Sequence, residues 1–326
     1  MQVDAIERPD LRALVGVLPF FHIYAMVMIL NFGLMRGATV VTLPRFEIEP
    51  FLKVIQDWPV ALAHIVPPIA VALANDPCVD RYNLTRLETL FSAAAPLSGA
   101  LATAVQRRLK TAIKQGYGMT EASPATHWAD YRSEFRSHTV GRLLPSTECR
   151  IIDVESGRDA AAGQSGEIWV RGPQVMKGYL NNSEATARTK DAEGWLHTGD
   201  IGVVDGDGYL MIVDRLKELI KVKGYQVAPA ELEGLLLTHP QIADVAVIPV
   251  ADDECGEVPK AFIVARGALT PEDVIEFVRS QVSHYKRVRH VAFIDAIPKS
   301  ASGKILRRVL VDRERASMET AISALT

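Results

Sequence analysis

Cysteine is scarce in this sequence: Cys78, Cys149 and Cys255 are the three in 326 residues. They are odd in number, scattered, and not at metal-ligand spacing. They give neither a disulfide framework nor a thiolate metal site, and read as reduced thiols of a cytoplasmic protein. An excess of basic charge is also missing. With 36 Lys and Arg against 39 Asp and Glu, the net charge is −3, which offers no footing for nucleic acid or an anionic membrane. There is no Walker-type GxxxxGK[ST], no fixed-period repeat and no low-complexity tract. The opening MQVDAIERPD places acids where a secretory leader would be basic. One uncharged stretch, Leu14 to Met35, approaches membrane-spanning length. It is interrupted by Pro19, His22 and Asn31, and splits into a buried strand (LVGVLPFF) and a buried helix (HIYAMVMILNFGLM), so no span is expected.

What is present is an ordinary globular balance, 48% apolar and 23% charged, in a chain long enough for about two domains. From Leu14 to Leu109 strands and helices alternate in a β-α-β-α rhythm, which predicts an α/β domain on a mostly parallel sheet. Short strands separated by SG, GQSG and RGP turns follow, and predict a β-rich subdomain. After Lys217 the pattern changes to mixed helices and strands, an α+β domain. Thr270 and Pro271 start one of its helices. The expected domains are therefore 1–215 and 216–326.

Chemistry concentrates in Leu196 to Glu233. A TGD triplet puts the Asp200 carboxylate in a tight turn, where an acceptor-only group suits a diol. The DGDG turn, the DRLKE segment and IKVKG follow. Arg215 is a permanent cation suited to ribose or phosphate. Lys221 and Lys223 alternate along a strand and so are expected to point the same way. A solvated lysine-rich hairpin has the same composition.

Elsewhere, His22 follows Phe20 and Phe21 where strand becomes helix, a place where α/β proteins set ligands, though a lone histidine equally suits a structural role. His64 reads as structural. Ser92 to Ala95 are small enough for a planar group to approach the backbone, or for tight helix–sheet packing. Gln115-Gly116-Tyr117-Gly118 is a strand running into an open turn. Thr120 and Glu121 come next, a hydroxyl and a carboxylate able to hold phosphate and a divalent cation. Near the end, the PKSASGKILRR loop presents Lys304, an ammonium able to reach a carboxylate and a phosphate together.

Taken in order, FFHIY, QGYGMTEA, GEIWVRGPQVMKGYLN, TGD, GYQVAPAELE and PKSASGKILRR resemble the adenylate-forming enzymes. Within them the likeness is to the 4-coumarate–CoA ligase and acyl-CoA synthetase branch. The resemblance implies an AMP-forming acid–CoA ligase using ATP, Mg²⁺ and coenzyme A on a small carboxylic acid, aromatic or fatty. It implies that His22, Phe21, Ala93 and Pro124 line the acid pocket, with Phe20, Phe21 and Trp128 an aromatic entry. Family members often carry glycine at the position of Ala93.

By the same resemblance Ala94, Gln115, Gly116, Tyr117 and Thr120 hold the nucleotide, Glu121 the Mg²⁺, and Asp200 and Arg215 the ribose. Lys304 serves adenylation, Lys221 and Gln226 contact the adenylate, and Lys223 and Gly224 turn toward CoA after rotation about Lys217. The family's phosphate loop ending in PKG has no counterpart here. An incomplete chain is therefore expected, with an upstream segment or partner supplying the remainder. The alternatives are a non-catalytic nucleotide- or CoA-binding remnant, a ligase loading a carrier protein, and oxidation of the adenylate.

Overall fold

The structure, a computed structural model, describes residues 11–130, 136–300 and 303–323, with side chains as far as residue 316. The chain is α/β and divides into two compact units, the change falling between Ile212 and Val213.

In the first unit β1 (Ala13–Gly16) pairs in parallel with β2 (Thr39–Thr42). The chain between them forms α1 (Ile23–Ala25), a π-helical stretch (Met26–Asn31) and α2 (Phe32–Met35). Among the described residues β1 is the sole neighbour of β2, and Phe21, Leu34 and Met35 of the connecting segment are exposed.

A larger mixed sheet follows in the order β3-β4-β5-β6-β7. β3 (Leu62–Ile65), β4 (Thr89–Ser92) and β5 (Ala112–Gly118) are parallel, and β6 (Ala125–Trp128) and β7 (Arg142–Leu143) are antiparallel additions. Parallel strands covered on both faces must be apolar throughout, and LAHI and TLFS are buried at every position. α3 (Ile48–Asp57) leads into this sheet from β2, and the crossovers run through α4 (Pro67–Asn75) and α5 (Gly99–Leu109). Pro67 sits in the first turn of α4, where its missing N–H costs nothing. The Ser98 hydroxyl accepts from the Leu101 amide and fixes the start of α5.

A four-stranded antiparallel sheet completes this unit. Its strands are β8 (Glu148–Ile152), β9 (Gly166–Arg171), β10 (Leu196–Val204) and β11 (Leu210–Arg215), with α6 (Ser183–Thr189) between β9 and β10. Ile168, Val170, Leu196 and Leu210 form its core.

The second unit is α+β. β14 (Ile242–Asp252) and β15 (Gly256–Ala265) make a long hairpin, with β16 (His290–Phe293) parallel to β15. The short hairpin of β12 (Ile220–Val222) and β13 (Tyr225–Val227) joins the far end of β15. α7 (Pro229–Leu236), α8 (Pro271–Arg279) and α9 (Arg307–Ser323) are its helices. Thr270 and Asp273 form a reciprocal capping box on α8. Among the described residues no helix is long and apolar enough to cross a membrane.

Two local expectations are corrected. The TGD triplet is not a turn but a bulge inside β10, where the register with β9 shifts between His197 and Ile201. Lys223 does not continue a strand beside Lys221. β12 ends at Val222, and Lys223 (φ 48°) and Gly224 (φ 85°) are the two left-handed residues of a tight hairpin turn.

Candidate functional site

The candidate residues of the first unit gather around the ends of β4 and β5 and the β10 bulge. Gly116 lies between two aromatic rings: a Cβ there would meet Phe91 and Trp128 at 3.0 Å. Gly118 is tighter, since its Cβ would fall 1.8 Å from the Pro124 carbonyl oxygen. Glycine is thus what lets QGYG pass beneath the returning chain at Ser123 and Pro124. The Gln115 side chain is engaged, donating to the Ser137 carbonyl at 3.0 Å. Ala94 adopts φ 72°, an unusual backbone for a residue with a Cβ, at the turn after β4. Ala93 beside it is half-buried, and Thr120 is exposed on a short 3₁₀ turn.

Tyr117 and Asp200 come from different sheets and meet. The Tyr117 hydroxyl donates to Asp200 Oδ2 at 2.6 Å, and Asp200 is 7% exposed. The bulge is held from below by the Thr198 hydroxyl, which donates to the Ile168 carbonyl and accepts from the Asp200 amide. The Gly199 amide donates to Glu167. A carboxylate fixed this way is an acceptor-only group of the kind that suits a vicinal diol.

Glu121 accepts from the Tyr179 hydroxyl at 2.7 Å, and its backbone carbonyl accepts from the Met176 amide. Among the described residues there is no group of three metal-ligating side chains. A lone carboxylate suits Mg²⁺, which keeps several waters and binds through one carboxylate plus substrate phosphates.

His22 caps α1, its Nδ1 accepting from the Tyr24 amide at 3.2 Å. That bond leaves the proton of the neutral ring on Nε2, as a donor. Partial burial lowers its pKa, which favours the neutral ring. Phe21 next to it is 80% exposed. Trp128 is not part of an open entry, as the sequence suggested. It is buried and stacks on Phe91 with centroids 3.6 Å apart, because β6 folds back beside β5. Trp128 closes one side of a cavity of ≈ 290 Å³ that Arg142, Leu144, Pro145 and Tyr209 also line.

Behind this region lies a polar contact that sequence reasoning did not find. Tyr24 donates to the Phe91 carbonyl at 2.9 Å, and its hydroxyl meets His64 Nδ1 at 3.1 Å. With the Tyr24 proton spent on the carbonyl, His64 donates from Nδ1 and is neutral, and burial lowers its pKa to about 3.

In the second unit Arg215, Lys217, Lys221 and Gln226 present exposed side chains. Lys221 and Gln226 sit opposite each other across the β12–β13 hairpin, and Lys223 pairs with Glu254. Lys304 lies in a pinched loop: its amide donates to Ser300 Oγ, and its carbonyl accepts from the Ser300 amide at 2.9 Å. The sequence also gave no sign of the buried Arg307 cluster beside that loop. Its one visible trace is the basic residue directly after GKIL.

The AMP-binding enzyme model matches residues 2–180, and the AMP-binding enzyme C-terminal domain matches residues 231–304. The chain belongs to the AMP-binding enzyme family. It is 49% identical over 321 residues to 4-coumarate–CoA ligase 2 of Nicotiana tabacum, an alignment covering 95% of this chain and 59% of that protein. Among solved structures it is similar to ATP-bound MatB from Rhodopseudomonas palustris (TM-score 0.88, 27% identity, 94% of this chain and 61% of that one). It is also similar to an anthranilate–CoA ligase in complex with anthranoyl-AMP (TM-score 0.87, 26% identity, 98% and 61%). The chain spans about three-fifths of the length of the curated relatives it matches.

Proposed function

We propose that this chain carries the acid- and adenylate-handling part of an AMP-forming acid–CoA ligase. The observation that supports it best is the Tyr117–Asp200 pair, a buried carboxylate oriented by a phenol beside a glycine-opened strand end. In this reading the ribose diol donates to Asp200 and the adenine lies against Tyr117, over the small residues Ala93 and Ala94. Gln115, Gly116 and Thr120 border the nucleotide, and Arg215 of the second unit adds its cation to the ribose. Phe21, His22 and Pro124 face the acid, and His22 Nε2–H donates to the reacting carboxylate. That carboxylate attacks the α-phosphate of ATP, giving an acyl-adenylate and pyrophosphate. The CoA thiolate then displaces AMP. Glu121 would hold Mg²⁺, which when bound neutralises phosphate charge.

Lys304 brings an ammonium to the charge that develops in the first step. Lys221 and Gln226 contact the adenylate, and Lys223 and Gly224 serve the thiol step, with Lys217 the hinge. The 4-coumarate–CoA ligases among the relatives favour an aromatic acid such as a hydroxycinnamate. The three free cysteines suit a cytoplasmic setting.

The test is calorimetry of the chain with AMP, alongside pyrophosphate release with Mg-ATP and a panel of acids. AMP binding that Asp200→Ala weakens by about tenfold or more is expected, with no pyrophosphate above blank from this chain alone. No AMP binding by the unaltered chain, or binding indifferent to Asp200, overturns the reading.

A further inference from the structure

The loop that carries Lys304 is fastened at both ends to one strand. On the entry side Lys299 pairs with Asp244, near the start of β14, at 2.5 Å. On the exit side Arg307 Nε donates to the Val247 carbonyl of the same strand at 3.2 Å. Between these anchors the Leu306 amide donates to the Pro298 carbonyl, which closes the base of the loop.

Arg307 does more than meet β14. One terminal nitrogen donates to both Glu233 oxygens, at 2.8 and 2.6 Å, and the other donates to Glu218 at 2.5 Å. Glu233 in turn accepts from the Val247 amide at 2.8 Å. Asp214 accepts from the Ala230 amide in the first turn of α7 and from the Arg215 amide. The Arg307 and Glu233 side chains are 13% and 10% exposed. One guanidinium therefore joins four pieces of chain: the segment 214–218 that opens the second unit, helix α7, strand β14, and the exit of the Lys304 loop.

A buried ion pair of this kind adds little net stability, because desolvation of both partners offsets the attraction. What a planar guanidinium does supply, with Nε and both terminal nitrogens each donating to a different residue, is fixed geometry. We infer that Arg307 is a positioning residue: it locks the Lys304 loop to the segment 214–218, so that Lys304 keeps one place relative to the chain on either side of Lys217. The inference rests on the roles proposed above for Lys304 and Lys217, but the lock itself can be read without any nucleotide.

The experiment is amide hydrogen exchange on the whole chain, comparing it with Arg307→Lys, Arg307→Met and Glu218→Gln. The reporter amides are Lys304 and Leu306 in the loop, and Glu218 and Leu219 after the hinge; each is hydrogen-bonded. Ala261 to Ile263, paired on both sides in β15, are the control. Arg307→Met is expected to raise exchange at all four reporters by about tenfold while the β15 control stays protected. Arg307→Lys keeps the charge but loses the fork, and is expected to fall between. Glu218→Gln leaves the Glu233 contact intact and is expected to loosen both reporter pairs more weakly. Loosening of the loop alone, or of the β15 amides together with the reporters, overturns the inference. A failure to bind AMP would instead sink the functional reading and leave this result standing.

Discussion

Tyr117 and Asp200 lie 83 positions apart in the chain and in separate sheets, yet the phenol of one is bound to the carboxylate of the other at 2.6 Å. The contact orients a buried acceptor. Tyr117→Phe removes one hydrogen bond and is expected to weaken AMP binding by about three- to tenfold, on the order of 1 kcal/mol. Asp200→Ala removes the acceptor itself and is expected to cost more than the Tyr117 change. Calorimetry on both variants checks the order; equal losses would show that the phenol acts as more than an orienting group.

Gly118→Ala tests the close passage at the end of β5. The added Cβ would overlap the Pro124 carbonyl oxygen, at 1.8 Å. Backbone cannot yield as a side-chain tip can, so the expected loss is on the order of 3 kcal/mol or more. Thermal unfolding reads it. A variant as stable as the parent would mean that the turn at Ser123 and Pro124 moves freely.

His64 makes the first unit sensitive to acid. Its pKa is about 3 when folded, through burial, against an ordinary value of 6.5. Below pH 6.5 the unfolded chain takes up a proton that the folded chain refuses. The stability is therefore present above pH 6.5 and is lost as the pH falls toward 3. His64→Gln does not titrate, and is expected to lose on the order of 4 kcal/mol less over that range. Urea midpoints of the two proteins at pH 7 and pH 4 give the comparison.

Glu233 acts in the opposite direction. Burial outweighs the attraction of Arg307 and raises its pKa to about 7 from 4.5. The folded chain then holds a proton that the unfolded chain has released. The stability is present below pH 4.5 and is lost as the pH rises through 7. Glu233→Gln keeps an acceptor for the Val247 amide and is expected to remove a decline on the order of 2 to 3 kcal/mol between those values. Parallel pH slopes for parent and variant would refute it.

Much of the architecture was legible because periodicity and capping are local. The alternating strands and helices up to Leu109 and Thr270 with Pro271 at the start of α8 all lie where the pattern put them. The failures also have physical causes. A bulge differs from a turn only in what pairs across from it, so TGD could not be placed without β9. Lys223 looked like the last strand residue because Gly224 signals a turn without showing that the residue before it shares the turn. Contacts between distant positions were invisible. Glu121 is 58 residues from Tyr179, and Glu233 is 74 from Arg307. Trp128 read as part of an aromatic entry because size is local information and stacking on Phe91 is not.

Among the described residues β2 has β1 as its one neighbour, which bears on how the isolated chain behaves in solution. A parallel strand with an open edge offers a row of backbone donors and acceptors to any extended peptide. Close by in the chain, Phe21, Leu34 and Met35 are 80%, 62% and 62% exposed. Purified material is therefore expected to self-associate as its concentration rises, and a Lys placed at Val40 or Val41 is expected to suppress that association.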